Sequence, residues 1–526
     1  MSFLVQSQSK RMLAVHGWSG TIVGIFLYIC IFTGAIVVFE REIDIWSMGA
    51  VETEVGLPSR VDHNFRVYSR DVDPELLEEV VISRALDGNI SYRFTGHIRH
   101  PDTGQITDYM RLVNVDQDTN EVVSESEGFI GELDFGRAEL SRFWVDVHEE
   151  LYIPNPWGRY ITGLLGLFMM FAAISGILLH KHLIQDAFLA VRKNSRLLAA
   201  RDLHILAGTW SLPFAILLAF TGAFFSFATT LGIPVMAMLA FDGDQEALIA
   251  AVLPPPAAVD FTPASIASLD YIMKDALART DGGYVQSIMI LNHNTVSAEV
   301  QVRIAAAATD LNGTTLAYDG VSRTFEGIIP IFGQEASLGA ALFSLLGPLH
   351  FGDFAGLASK SVCLGLGLAA AWVTATGMLL WTERRKEDRL WRRFNNWILL
   401  TVWGLPFAMM VSATAFFVTL PAGDPGFWVP WSFALAIPVA VYLARDPDHT
   451  QARLRLANAV LAISLPILRH LMGGASWSEA LMSGAFAVIV VDAMLIIAGL
   501  IMLRKWRRDT AKDVTAPAAN VQEPAE

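Results

Sequence analysis

The feature that most constrains this chain is a series of long apolar segments, each long enough to cross a lipid bilayer. A membrane-spanning helix needs roughly 20 mainly apolar residues. Charged residues make up only 17% of the 526 residues, below the ~25% of typical soluble domains. We therefore predict an all-α polytopic membrane protein rather than a soluble enzyme. Its predicted spans 1 to 8 lie at about 18–39, 158–181, 205–228, 357–381, 397–420, 427–444, 454–472 and 480–503.

Charge is distributed unevenly among the connections between these segments. Residues 40–157 contain 25 acidic and 10 basic side chains, and residues 229–350 contain 12 and 4. The short connections are instead rich in arginine and lysine. Because basic residues accumulate in short cytoplasmic loops, we predict that both termini are cytoplasmic and that the two acidic segments face outward.

Each acidic segment has the pattern of a small α+β domain. In the first segment a helix is predicted at 74–87 and strands at 90–98 and 106–115. In the second a helix is predicted at 263–279 and strands at 284–291 and 295–304. The predicted division of the chain is the N-terminus with span 1 (1–39), the first outer domain (40–157), spans 2 and 3 (158–228), the second outer domain (229–350), span 4 with its following loop (351–396), spans 5 to 8 (397–503) and a disordered tail (504–526).

An internal repeat relates the two parts of the chain that contain the acidic segments. Positions of span 1 recur in span 3 at a constant offset of 188 residues: His16, Gly20, Thr21, Thr33, Gly34, Ala35 and Phe39 match His204, Gly208, Thr209, Thr221, Gly222, Ala223 and Phe227. Spans 2 and 4 share the pairs His148 and His350, Gly166 and Gly367, and Gly176 and Gly377. Both copies begin inside, so we expect an axis along the membrane normal. Spans 5 to 8 lack the pattern and form an appendage.

The repeat pairs four histidines across its two copies. His16 and His204 lie at the cytoplasmic ends of spans 1 and 3, and His148 and His350 at the outer entrances of spans 2 and 4. Ionisable groups at membrane spans are rare and usually functional, and two facing imidazoles suit the axial positions of a six-coordinate haem iron. We therefore predict an inner and an outer haem. Glycines would let the macrocycle or a neighbouring helix approach closely: Gly163, Gly166, Gly365 and Gly367.

Alternative ligands and another use of the outer histidines remain open. His180 ranks second for the inner site because Trp381 stands at its place in the repeat, and His182 ranks third because it falls on another helix face. A His180 that is not a ligand would lie near the inner haem, as a hydrogen-bond donor or on a donor-docking surface. Carboxylates beside the outer pair would suit a dinuclear metal site instead: Glu149, Glu150 and Asp353. No CxxCH motif is present, so covalent haem is not expected.

Four stretches carry a family resemblance over residues 10–385. They are His16-Gly-Trp-Ser-Gly with Thr33-Gly34, Ser175-Gly-Ile-Leu-Leu-His180-Lys-His182, Asp202-Leu-His204 with Leu212-Pro213-Phe214, and Leu349-His350-Phe-Gly-Asp-Phe-Ala-Gly356. The sequence here resembles the PepSY-associated transmembrane family, whose members include ferric-siderophore reductases of the bacterial inner membrane. The resemblance implies PepSY-like outer domains, haem b, a location in the bacterial inner membrane and electron transfer toward the periplasm.

The leading hypothesis is an oxidoreductase, with two haem b groups, that reduces a ferric siderophore or other ferric chelate during iron uptake. Its expected partners are that chelate, a cytoplasmic or membrane electron donor and membrane lipid, with no nucleic acid and with the catalytic residues unassigned. Two alternatives need no haem: a PepSY-domain regulatory or binding protein, and a permease for iron or an iron chelate. A reducible b-type absorption spectrum would separate the first hypothesis from the other two.

Overall fold

Helices dominate the architecture, which confirms the predicted fold class. The computed structural model describes residues 5–48, 56–58, 60–85, 88–101, 106–130, 133, 139–180, 182–192, 195–244, 247–248, 259–280, 282–305, 313–329, 338–422, 425–446 and 449–515. Within these ranges, seven continuous helices are long and apolar enough to cross a bilayer, and a bent pair supplies an eighth. Spans 2 to 8 are Trp157–Leu179, Leu197–Phe227, Asp353–Glu383, Arg389–Ala422, Pro425–Leu443, Thr450–Leu471 and Phe486–Thr510.

Span 1 is broken rather than straight. Its two segments, Gln6–Ile22 and Gly24–Val37, meet at an angle of 68°. His16 therefore lies on the first segment and Gly34 on the second. The remaining helices are Glu40–Met48, Val61–Tyr68, Glu139–Glu150, Leu183–Asp186, Ile233–Ala240, Leu269–Arg279, Leu338–Phe351 and Trp477–Met482.

The first four spans pack in a closed ring. Spans 1 and 3 each contact both span 2 and span 4, as the repeat predicts for two halves around one axis. Small residues let the helix backbones approach. Gly166 lies against Ala219 and Ala223, and Gly367 lies against Ala35.

The appendage packs on one side of this ring through span 5, and it contains a buried ion pair between spans 7 and 8. Arg469 and Asp492 are each 1% exposed, with 2.9 Å between Nη2 and Oδ2. Trp46, from the helix that follows span 1, donates its indole N–H to Asp492 at 2.7 Å, and Trp477 does so at 2.8 Å. Because buried charges are tolerated only when their hydrogen bonds are satisfied, both donors stabilise the pair, and the one from Trp46 also ties the appendage to the rest of the chain.

The end of the chain differs from the prediction. The final helix runs from Phe486 to Thr515, so the disordered tail predicted from residue 504 is wrong over 504–515. Arginine and lysine are good helix formers, and Asp509 is held by Arg455 of span 7 at 2.5 Å. Residues 516–526 of the predicted tail lie outside the described residues.

The two acidic segments share one antiparallel sheet of eight strands. Its order is β4-β3-β2-β1-β5-β6-β7-β8, with strands β1 to β8 at Glu79–Arg84, Ile90–Arg99, Ile106–Val115, Val122–Phe129, Tyr284–Leu291, Glu299–Ala305, Thr314–Asp319 and Phe325–Ile329. β1 pairs with β5, and Ile82 stands opposite Ile288. Helices Val61–Tyr68 and Leu269–Arg279 pack on the sheet's buried face. Each segment therefore supplies half of a single α+β layer.

The helix predicted at 74–87 is wrong. Pro74–Leu77 forms one 3₁₀ turn, and Glu79–Arg84 is strand β1 in the middle of the sheet. Val80 and Ile82 alternate into the core at 0% exposure, and β-branched side chains favour this pleated setting. The strands predicted at 90–98, 106–115 and 284–291 are confirmed. The helix predicted at 263–279 begins at Leu269, and the strand predicted at 295–304 begins at Glu299.

Candidate functional site

The two inner histidines are anchored in the same way on the next span. Nδ1 of His16 lies 2.8 Å from the Ser175 hydroxyl of span 2. Nδ1 of His204 lies 3.0 Å from the Val373 carbonyl oxygen and 3.1 Å from the Thr376 hydroxyl of span 4. Ser175 and Thr376 are 201 residues apart, as are Gly176 and Gly377. The hydroxyl is thus part of the repeat, a signal that sequence reasoning missed.

A glycine lies next to each inner imidazole. A Cβ built on Gly377 would stand 3.1 Å from Cε1 of His204, and one on Gly176 would stand 3.9 Å from Cε1 of His16. Each inner ring therefore lies beside a helix position that has no side chain. The repeat glycines that the sequence identified serve this close contact.

The outer His148 lies on helix Glu139–Glu150, just before span 2. Its Nδ1 is 2.9 Å from the Cys30 carbonyl oxygen of span 1, and a Cβ on Gly34 would stand only 2.6 Å from its Cε1. The helix is fixed by the appendage, since the Trp144 indole donates to the Ser412 hydroxyl of span 5 at 3.1 Å. His148 is therefore held from two sides.

The outer His350 lies near the end of helix Leu338–Phe351. Its Nδ1 is 2.8 Å from the Thr221 hydroxyl of span 3, and a Cβ on Gly222 would stand 3.4 Å from its Cε1. No residue of this helix is buried among those described. His350 thus repeats the arrangement of His148 with less support behind it.

Anchoring at Nδ1 fixes which ring nitrogen carries the proton. A carbonyl oxygen only accepts, so Nδ1 of His148 and of His204 is the donor in a neutral ring. The Thr221 hydroxyl donates to the Leu217 carbonyl at 2.8 Å and so accepts from His350. In the described parts of the chain, no hydrogen bond reaches Nε2 of these rings or of His16. A lone pair at Nε2 is what a metal-ligating imidazole presents.

The structure brings the predicted partners together on the same sides. His16 and His204 are anchored on Ser175 and Thr376 in the last third of spans 2 and 4, and His148 and His350 are anchored on Cys30 and Thr221 toward the ends of spans 1 and 3. His180 ends span 2, and its Nδ1 lies 2.7 Å from Oδ2 of Asp186. His16, His180 and His204 therefore lie at one end of the span ring and His148 and His350 at the other, whereas His182 is exposed to solvent.

The carboxylates beside the outer pair are engaged by cations. Arg159 pairs with Glu149 at 2.9 Å and with Glu150 at 3.0 Å, and Lys360 approaches Asp353 at 3.4 Å. Burial raises the pKa of the Glu149 carboxyl, and the charge of Arg159 opposes that shift. Over the residues that the structure describes, no cluster of three or more His, Cys, Asp or Glu could hold a metal ion. The described carboxylates thus do not supply the ligands that a dinuclear metal site needs.

The glycines predicted to admit a macrocycle mostly serve helix packing. The space at Gly163 is taken by the ring of Phe227. Gly166 and Gly367 lie at the helix contacts described above, whereas a Cβ on Gly365 would meet no atom within 4 Å. Of these four positions, only Gly365 leaves open space beside the span.

The ring of four spans, the histidines at both its ends and the shared α+β sheet define a class of multi-pass membrane protein. Residues 13–384 match the model of the PepSY-associated TM region, and the chain belongs to this family. It is also 28% identical over 395 residues to an uncharacterised protein of Pseudomonas aeruginosa, PA4219, a match covering 72% of this chain and 96% of that protein. The family match ends before span 5 begins at Arg389.

Proposed function

We propose that this protein is a haem-b electron-transfer protein of the bacterial inner membrane that reduces a ferric siderophore or another ferric chelate in the periplasm. The observation that carries the proposal is the fourfold recurrence of one arrangement, a histidine anchored at Nδ1 and packed on a glycine. One such pair at each end of the span ring would let electrons cross the membrane without a pore.

The residues present fit a bis-histidine haem at each end. His16 with His204 would hold the inner group, and His148 with His350 the outer group; His180 is the second candidate at the inner end. The hydrogen bonds at Nδ1 orient each ring and increase the basicity of Nε2 as a ligand. When bound, haem supplies reversible one-electron iron chemistry.

Reduction is a suitable chemistry for releasing iron from a chelate. Siderophores hold ferric iron with hard oxygen ligands, and the ferrous ion formed by one added electron is softer and more weakly bound. The acidic outer segments and basic short loops support an orientation in which the outer histidines face the periplasm, and the proposed transfer runs from the cytoplasm to that side. The donor is a cytoplasmic or membrane-bound reductant.

Haem content of single alanine variants tests the proposal. His148→Ala and His350→Ala are each expected to lose about one haem per chain, measured as a dithionite-reducible b-type spectrum per mole of inserted protein. His16→Ala and His204→Ala should lose the inner low-spin signal, whereas His180→Ala should shift only its midpoint potential. Loss of haem in His180→Ala with retention in His16→Ala would reject the symmetric inner pair.

A matched control comes from the outer sheet. His97 is half exposed and pairs with Glu78 at 3.0 Å, so His97→Ala should keep the full haem content. A colourless wild-type protein from haem-replete cells would contradict the proposal and favour a regulatory protein or a permease. Unchanged haem in both outer variants would remove the outer ligand assignment.

A further inference from the structure

A basic cavity lies where the family core meets the appendage, at the predicted cytoplasmic ends of spans 4 and 5. It has a volume of about 410 Å³, within the range of small-molecule sites. Its walls include Arg389, Arg392, Arg393, Trp391 and Asn395, all from the start of span 5. These residues lie beyond the family match, which ends at 384.

Three of the basic groups in this wall have no acidic partner. Lys386 pairs with Glu383 at 3.0 Å. In the part of the chain that the structure describes, no carboxylate lies within ion-pair distance of Arg389, Arg392 or Arg393. Like charges gathered at one place repel each other unless an anion joins them. The Asp388 carboxylate already caps the start of the span 5 helix, accepting from the Leu390 N–H at 2.7 Å, so an anion would be held by the guanidinium groups rather than by the helix N-terminus.

The remaining groups in the wall indicate what kind of anion would fit. The planar guanidinium presents paired N–H donors that match phosphate oxygens. Asn395 accepts from the Thr382 hydroxyl at 3.2 Å, which leaves the donors of its amide NH₂ for a ligand. Trp391 supplies an apolar ring surface beside the basic groups. A phosphate group attached to an organic moiety would contact both the guanidinium groups and the apolar ring of Trp391.

The cavity is connected to the inner histidines through aromatic contacts. The ring of Trp391 lies 5.8 Å from that of Trp18, and Trp18 lies 5.3 Å from Trp381. The Trp381 ring packs on Gly17, the residue next to His16. A ligand against Trp391 would therefore contact the same aromatic cluster as the segment that carries His16.

We propose that this cavity binds a phosphate-bearing ligand, with its phosphate held by Arg389, Arg392 and Arg393 and its remaining part packed on Trp391. Two sources present this chemistry: the headgroup of an anionic phospholipid, and the phosphate of a soluble nucleotide. The inference goes beyond the proposed function, because it rests on residues outside the family core and requires no haem.

Binding to the full-length protein, with two pairs of matched probes, tests the inference. Native mass spectrometry compares retention of phosphatidylglycerol with that of diacylglycerol carrying the same chains. Equilibrium dialysis compares flavin mononucleotide with riboflavin. We expect the phosphate-bearing member of one pair to be preferred, and its binding to weaken about tenfold or more in an Arg392→Gln/Arg393→Gln variant.

The matched control is an Arg507→Gln/Arg508→Gln variant, which removes equal charge from the exposed end of the span 8 helix. It should bind as the wild type does, and size-exclusion profiles check that both variants are folded. A preference for phosphatidylglycerol assigns the cavity to lipid, and one for flavin mononucleotide assigns it to a nucleotide. Equal binding within both probe pairs, or equal loss in both variants, would overturn the inference, whatever the haem content.

Discussion

Substituting Gly34 with alanine tests whether the outer site depends on the contact between span 1 and His148. A Cβ at this position would stand 2.6 Å from Cε1 and 2.9 Å from Nδ1 of His148, where ordinary van der Waals contact begins at 3.4 Å. The imidazole must therefore move by about 0.8 Å, the difference between 3.4 and 2.6 Å. A shift of that size disturbs the 2.9 Å hydrogen bond from Nδ1 to the Cys30 carbonyl.

Holding His148 in its present position against this Cβ costs about 1–3 kcal/mol. Because ligation of the proposed outer haem requires that position, its affinity should fall by about 5- to 150-fold. Gly176 is the matched control, because its Cβ would stand 3.9 Å from His16. Glycine to alanine within a helix otherwise gains about 0.5–1 kcal/mol, so Gly176→Ala should be neutral or slightly stabilising. Gly377→Ala, at 3.1 Å, and Gly222→Ala, at 3.4 Å, should fall between these two.

The assay is haem per chain in purified variants from haem-replete cells, together with the low-spin haem signal by electron paramagnetic resonance. Gly34→Ala should lose or alter the outer signal and keep the inner one, at an unchanged level of membrane insertion. Equal haem content and identical spectra in Gly34→Ala and Gly176→Ala would refute the reasoning that this contact positions His148.

Orientation, acid sensitivity and the buried ion pair can be measured as well. Cysteines at Ser124 and Ser322 should react with an impermeant maleimide from the periplasm, and labelling only from the cytoplasm would reverse the topology. Burial lowers the pKa of His293 from 6.5 to about 4, so below pH 6.5 the unfolded state binds a proton that the folded state does not. The free energy of unfolding of the outer sheet should therefore fall by about 2 kcal/mol between neutral pH and pH 5. Hydrogen exchange in β5 measures this fall. The same fall in a His293→Phe variant would contradict the prediction. Asp492→Ala should cost about 3–5 kcal/mol because it leaves Arg469 buried and unpaired, and an unchanged thermal midpoint would show that the pair is not stabilising.

Hydropathy was sufficient to predict the spans, and the repeat singled out four histidines whose pairing stays a prediction. Each signal can be read from a short stretch of sequence. The length of an apolar run shows whether it can cross a bilayer, and His16 and His204 are each followed by Gly and Thr at the same spacing. The anchoring hydroxyls of Ser175 and Thr376 also obey the repeat. They could not be recognised as partners beforehand, because pairing a residue of span 1 with one of span 2 requires the packing itself.

The outer sheet was predictable only in part, because its central contact is not local. β1 pairs with β5, which lies about 200 residues further along the chain. The sequence pattern of either strand does not indicate which strand it pairs with. Residues 79–84 also carry apolar side chains at spacings that fit a helix. Burial of Val80 and Ile82 between two neighbouring strands decides in favour of the strand.

The pairing of β1 with β5 bears on how the two halves of the chain can diverge. Both halves offer the same strand to the shared contact, which is the geometry of an isologous dimer, here joined into a single polypeptide. In a homodimer every substitution appears in both subunits. In a single chain a substitution in one half leaves the sequence of the other half unchanged. His148 is held by a backbone carbonyl that no substitution removes, and His350 by the Thr221 hydroxyl that a single substitution deletes. The two halves of the outer site therefore differ in how they can change: one substitution deletes the hydrogen-bond partner of His350, whereas that of His148 can be disturbed only by moving the imidazole.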